Sequence, residues 1–204
     1  AEQIFPTKGN LIKAKRSLNQ ARMGYELMDR KRNILIREMV DLTDEAKVLR
    51  SSIDDTYSAA YKALQRANLS MGVVSELAKT FPLDDSLSLS VRSVMGVELA
   101  KISSAPHEEQ LCYGMTRTNS SFDEAYISFN KAKEITIKLA EIENGIYRLA
   151  IAIKKTQKRA NALKNIMIPK FEGMVRYIAN ALEEKEREEF SRQKVIKKAK
   201  LKKQ

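Results

Sequence analysis

The feature that most restricts this chain is a narrow apolar seam of helical period in its last third. From about Ser120 to Lys203, Ile135, Ile142, Leu149, Thr156 and Leu163 step by seven, with Leu139, Ile146, Ile153, Ala160 and Met167 stepping by seven between them. Spacings alternating between four and three, with Lys, Glu and Arg elsewhere, describe a helix whose one sticky stripe needs a partner helix. Unbroken, it would extend on the order of 120 Å at 1.5 Å per residue. The first third carries a matching seam. Leu11, Leu18, Tyr25, Met39, Ala46 and Ile53 form one set, broken only by Arg32, and Ala14, Ala21, Met28, Leu35, Leu42, Leu49, Thr56 and Ala63 form the other. The reading is a second long helix from Asn10 to near Ala78, loosened at Met71-Gly72. Ala59, Ala60, Ala63 and Ala67 allow a neighbour to come close near its end.

Composition agrees. Only 6% of the 204 residues are aromatic, none is Trp, and there are seven glycines and four prolines, which favours long helices over sheets. The net charge of +11 points to an acidic partner surface without choosing among nucleic acid, anionic lipid and protein. Cys112 is the only cysteine, so no internal disulfide is expected and a reducing compartment fits. No apolar run approaches the length of a membrane span and no signal peptide precedes Ala1, so a soluble, intracellular protein is expected.

Three segments follow: residues 1–79, 80–118 and 119–204. Thr7 is a candidate cap for the first helix, and Phe81-Pro82 stops it, because a residue preceding proline is pushed out of the α region. Leu87, Leu89 and Val91 alternate with polar residues. Beyond Met95-Gly96, Val97, Leu99 and Lys101 resume that period of two, predicting a short β-hairpin over about 87–102 with Gly96 at or near its turn. Residues 107–118 read as short helix or loop, and Asn119, Ser120 or Ser121 caps the last helix.

Two long helices joined by a compact middle fold back as an antiparallel coiled coil. Residue i then lies opposite residue 196 minus i, to within about ten. The acids Glu38, Asp41, Asp44, Glu45, Asp54 and Asp55 are then expected to face Arg148, Lys154, Lys155, Lys158 and Arg159. Glu183, Glu184, Glu186, Glu188 and Glu189 face Lys8, Lys13, Lys15 and Arg16, and Gly24 lies near Pro169. Pro169 interrupts the C-terminal helix, but Phe171, Met174, Val175, Ile178 and Leu182 resume the stripe, so a kink is expected there and not a stop.

Catalytic chemistry is not in evidence. Pro6-Thr7-Lys8-Gly9 only superficially resembles a phosphate-binding loop, and His107 is the sole histidine, too few for a His-based metal cluster or triad. No catalytic residue, metal or cofactor is expected. The basic tail, with Lys194, Lys197, Lys198, Lys200, Lys202 and Lys203, reads either as a solvated terminus or as an electrostatic contact with phosphates or a protein collar. Tyr25, Tyr57, Tyr61, Tyr147 and Tyr177 are dispersed along the seam and its flanks, without the stacked platform of a single-strand binder.

Particular stretches point further. Pro6-Thr7-Lys8 with Leu11, Lys15 and Leu18, the run from Met28 to Leu35, and Val94-Met95-Gly96-Val97 resemble the D subunit of the V/A-type rotary ATPases. So do Arg159-Ala160-Asn161-Ala162-Leu163, Ile168-Pro169 and the run from Ala181 to Phe190. The similarity covers nearly the whole chain, departing at Leu99-Ala100, where many relatives carry a proline nearby.

The resemblance implies a central rotor shaft, one copy per complex. Its terminal tip enters a hexameric ATPase head of catalytic and non-catalytic nucleotide-binding subunits, the small F subunit of the stalk clasps it, and a funnel-like subunit links it to the membrane ring. The complex lies peripheral to the membrane on the cytoplasmic side, with no membrane insertion of this chain and no nucleic acid. On that basis Lys8, Lys13, Arg16, Arg22, Arg187, Arg192 and Lys197 are expected to contact the head, and the hairpin either influences coupling or merely caps the coiled coil. A basic coiled-coil nucleic-acid-binding or scaffold protein is the alternative.

Overall fold

The computed structural model describes residues 5–79, 86–104, 113–114 and 118–201. The expected stop at Phe81-Pro82, His107, Cys112, Lys202 and Lys203 lie outside these residues. In chain order the elements are α1 (Lys8–Met71), α2 (Ser75–Ala78), β1 (Leu87–Val94), β2 (Val97–Ser104), α3 (Ser120–Ala162), a π turn (Leu163–Met167) and α4 (Ile168–Leu201). The predominantly helical class with a central hairpin is thus as expected. Residues 1–32 with 154–204 form one compact unit, and residues 33–153 form another.

The first unit is an antiparallel helix pair. Thr7 opens α1: its hydroxyl accepts the Asn10 N–H at 3.2 Å and its carbonyl accepts that of Leu11 at 3.0 Å, so the loop-like Pro6-Thr7-Lys8-Gly9 is a helix start. Lys8 meets Glu186 at 3.1 Å and Arg22 meets Glu172 at 2.6 Å. Between them Ala14, Ala21, Ala160 and Ile178 are buried, and Leu11, Leu18, Met28 and Leu163 are half-buried. Arg32, the polar break in the seam, is satisfied by Asp29 at 2.6 Å and Gln157 at 2.8 Å. A Cβ added to Gly24 would lie 3.7 Å from Leu163, so Gly24 faces the start of the π turn and not Pro169.

Pro169 does not stop the helix. An α-helix asks residue 169 for an N–H to the Asn165 carbonyl, and proline has none. The five-residue π turn falls on that carbonyl, and Ile168 keeps helical angles (φ −61°, ψ −51°) despite preceding a proline.

In the second unit Leu35 and Leu149 are fully buried against Leu99 of the hairpin, with Met39, Leu42, Ala152 and Ile153 packed around them. Leu49, Ile142 and Ile146 are half-buried along the same seam. Gly145 is buried opposite Leu42, whose Cδ1 would stand 3.2 Å from an added Cβ, so the helices touch backbone to side chain there. Farther along, Ala60, Ala63 and Ala67 of α1 and Ala125 and Ala132 of α3 are buried, which fulfils the expected close approach. Arg50 meets Glu143 at 2.7 Å, and Asn119 donates to Ser70 at 2.8 Å.

Register falls within the expected ten residues. Residue 188 is expected opposite Lys8 and Glu186 is found; residue 126 is expected opposite Ser70 and Asn119 is found.

The expected end of the first helix is corrected, and of the two readings left open for the hairpin one falls away. α1 ends at Met71, where Gly72 turns left-handed (φ +81°) and the Asn68 side chain accepts the Val74 N–H at 3.3 Å. Apolar spacing runs on into α2, so periodicity alone does not see this reversal. The hairpin, moreover, does not cap the end of the coiled coil. It packs on the flank at Leu35 and Leu149, while the end is closed by Ala67, Val74 and Phe122 with Tyr113. Asn119, one of three candidate caps, accepts the Phe122 N–H at 3.2 Å.

Candidate functional site

Two surfaces stand out, one in each unit. In the unit of residues 33–153 it is the hairpin. β1 and β2 pair from Leu87↔Ser104 to Val94↔Val97, and Met95 and Gly96 both have positive φ (50° and 74°), the two-residue turn that matches strand twist. The ladder runs two residues beyond the expected Ile102. One face turns toward the helices: Val94 and Val97 are half-buried, and Leu99 is the one buried residue of either strand. The other face carries Leu87, Leu89 and Val91, which are 45%, 77% and 65% exposed.

Three polar contacts hold the hairpin. Arg92 reaches Glu38 at 2.7 Å, Arg148 donates to the Glu98 carbonyl at 3.1 Å, and the Ile102 N–H donates to Glu141 at 3.0 Å. Glu38 and Arg148 are therefore spent on the hairpin, and Asp44 pairs with Lys47 of its own helix at 2.8 Å, in place of the expected attraction between helices. Beside Leu99 an open cavity of about 350 Å³ lies between hairpin and helices, lined by Glu38, Asp41, Glu45, Lys101 and Glu141 among others. Sequence reasoning missed Glu141 and assigned Arg148 to the acids of α1 and not to the hairpin. Glu141 and Arg148 lie seven apart on α3 with Gly145 between them, a second stripe beside the seam that could have signalled a docked element.

The other surface is the basic one of the unit formed by residues 1–32 and 154–204. α4 continues past Glu186 to Leu201, and every residue from Glu183 to Ala199 is exposed. Phe190, Val195, Ile196 and Leu201 are more than half exposed on this stretch, an unusual display of apolar side chains on a lone helix. Of the seven expected contact residues, four are already paired: Lys8 with Glu186, Arg22 with Glu172, Arg187 with Glu183, and Arg192 with Glu188. Lys13, Arg16 and Lys197 are exposed and make no ion pair among the described residues.

Aromatic residues meet in two places among the described residues. Tyr113 stands edge-on to Phe122 at 5.0 Å and to Tyr126 at 6.0 Å. Tyr61 packs against Tyr57 and, edge-on, against Phe129 at 5.6 Å, while Tyr57 shares a hydrogen bond with Thr136. Among the described residues no group of three or more His, Cys, Asp or Glu could hold a metal ion, and no helix is long and apolar enough to cross a membrane.

Comparison with known proteins fits the same elements. The family model for the D subunit of ATP synthase matches residues 10–198, spanning both long helices and the hairpin. The V-type ATP synthase D subunit of Thermotoga neapolitana is 43% identical over 196 residues, covering 95% of this chain and 97% of that protein. The A-type ATP synthase D subunits of Methanosphaera stadtmanae and Thermococcus sibiricus are each 33% identical, covering 96% of this chain and 94% of theirs. A match that takes in the paired seams, the flanking hairpin and the proline-bearing last helix together makes this chain a member of the ATP synthase D-subunit family.

Proposed function

We propose that the chain is the central rotor shaft of a V-type ion-translocating ATPase or ATP synthase, carrying torque between the catalytic head and the membrane ring. The observation that carries this reading is the family match over residues 10–198. In this reading the chain itself is a non-catalytic subunit of the complex. It works by shape. A hairpin on one flank makes the shaft asymmetric, so each angular position favours a different state of the surrounding subunits, a population shift imposed by contact.

Its partners are the hexameric head, the small F subunit of the stalk and a funnel-like subunit at the membrane ring, with one copy per complex on the cytoplasmic side. The exposed helix beyond Glu186 and the basic face around Lys13, Arg16 and Lys197 enter the head, where unpaired cations meet acidic or carbonyl-rich loops.

Native mass spectrometry of the tagged chain, mildly extracted from its source cells, tests the assignment. A single copy with a three-plus-three ATPase head is expected, and recovery alone or with nucleic acid would refute it. Charge reversal at Lys13, Arg16 and Lys197 tests the tip: head affinity should fall and lose part of its salt dependence. No salt dependence and no effect of reversal would remove the electrostatic contact.

A further inference from the structure

We propose that the outer edge of β1 receives an extended strand from another subunit of the complex, turning the hairpin into a three-stranded sheet. Main-chain groups in an antiparallel pair alternate between pointing at the partner strand and pointing away. The Ile102 N–H donates to Glu141 and the Glu98 carbonyl accepts from Arg148, which fixes the residues of β2 that point away. Their partners across the ladder are Leu89 and Ser93, so the outward groups of β1 belong to Leu87, Leu89, Val91 and Ser93.

The two edges are treated differently. On β2, α3 supplies a carboxylate and a guanidinium to the outward groups. On β1 nothing among the described residues pairs with them, since the sheet has two strands only. Unpaired edges are ordinarily protected by proline, lysine, a bulge or shortness. β1 has none of these: it is eight residues long, paired without a bulge, and its one charge, Arg92, points to Glu38 on the helix side. The residues that offer outward main-chain groups also offer outward side chains. Leu87, Leu89 and Val91 stand exposed beside Ala100 and Ile102, so an arriving strand gains hydrogen bonds and apolar cover together.

The occupant is therefore an extended segment with apolar residues at alternate positions. A second copy of this chain fits less well, because each copy carries a net charge of +11. This inference rests on the rotor-shaft reading, in which the chain works inside a larger complex.

Amide hydrogen exchange on the isolated chain and on the complex purified through it provides the test. In the isolated chain the amides of Leu87, Leu89, Val91 and Ser93 exchange fast while those of Ser88, Ser90, Arg92 and Val94 are protected. In the complex the fast set slows on the order of 100-fold and the alternation disappears. Leu89→Pro removes an outward N–H only. The isolated variant keeps its inward amides protected, and in the complex the slowing at Leu87 and Val91 is lost.

Complex formation with the four amides still fast overturns the strand while leaving the shaft reading intact. Slowing that appears in the isolated chain as its concentration rises also overturns it, in favour of a second copy. A chain recovered without ATPase subunits overturns both.

Discussion

Leu99 anchors the hairpin, and truncating it should undock the hairpin without melting the helices. Leu99 is 6% exposed and lies against Leu35 and Leu149, while every other residue of the two strands is half-buried or exposed. Leu99→Ala removes three buried carbons at about 0.8 kcal/mol each, and the space left behind raises the loss to roughly 3 kcal/mol. The polar contacts do not make this good: Arg92 and Glu38 are 63% and 23% exposed, and such a pair contributes under about 1 kcal/mol. A two-stranded hairpin by itself is marginal in water, so an undocked hairpin also loses its ladder. At 1.4 kcal/mol per factor of ten, the open population rises about 100-fold.

The assay is native-state amide exchange. The ladder amides of Arg92, Leu99 and Lys101 should exchange about 100-fold faster, while amides of α1 and α3 around Leu49 and Ile142 stay within about threefold of their former rates. Equal acceleration throughout would show that hairpin and helices open as one cooperative block. Acceleration below about fivefold at the ladder would show that something other than Leu99 holds the hairpin. Either result refutes the anchor.

Gly96→Val places a β-branched residue at φ +74°, which costs about 1–2 kcal/mol; the Val97 and Leu99 amides should exchange about tenfold faster with α1 unchanged. Pro169→Ala restores a backbone donor and a better helix former, so urea unfolding should show a gain of about 1–3 kcal/mol; a loss would mean that the ring packs favourably beside the π turn. A double-mutant cycle on Arg22 and Glu172, 56% and 43% exposed, should give a coupling below about 1 kcal/mol that vanishes in 1 M salt. A coupling of about 2 kcal/mol or more would contradict the surface character of that pair.

Burial along a helix repeats with the helix, so the seams were legible. Leu35, Leu149 and Ile178 fall on the predicted stripes and are fully buried, and Arg32, the one polar break, found partners at its own level. The turn was legible from Gly96, which takes positive φ without strain between two alternating runs, whereas nothing marked Met95 as left-handed too (φ 50°). What the carboxylate of Glu38 would meet was not, since a surface acid forms similar pairs with any cation brought near, and Arg92 arrives through tertiary packing. The same limit hid Glu141 and sent Arg148 to the acids of α1: on a helix flank neither a carboxylate nor an arginine announces a strand edge until one lies beside it. The end of α1 was misplaced because Val74 and Leu77 continue an apolar rhythm that a left-handed Gly72 has already redirected.

The π turn also alters how positions are counted along the last helix. From Leu163 the heptad points to Met167 and Lys170, yet both are exposed and the half-buried stripe resumes at Ile168 and Phe171, steps of five and eight. Five residues here do the angular work that four do elsewhere, so Leu163–Met167 absorbs one surplus residue and returns Phe171, Ile178 and Leu182 to the side that faces α1. One residue added elsewhere in α3 or α4 swings everything beyond it by about 100° and turns the stripe away. One residue removed from Leu163–Met167 does the reverse: it leaves a plain helix with the two halves still in phase. Length variation along this helix is therefore tolerated at a single address, and the address is marked by a broken count and not by any residue type.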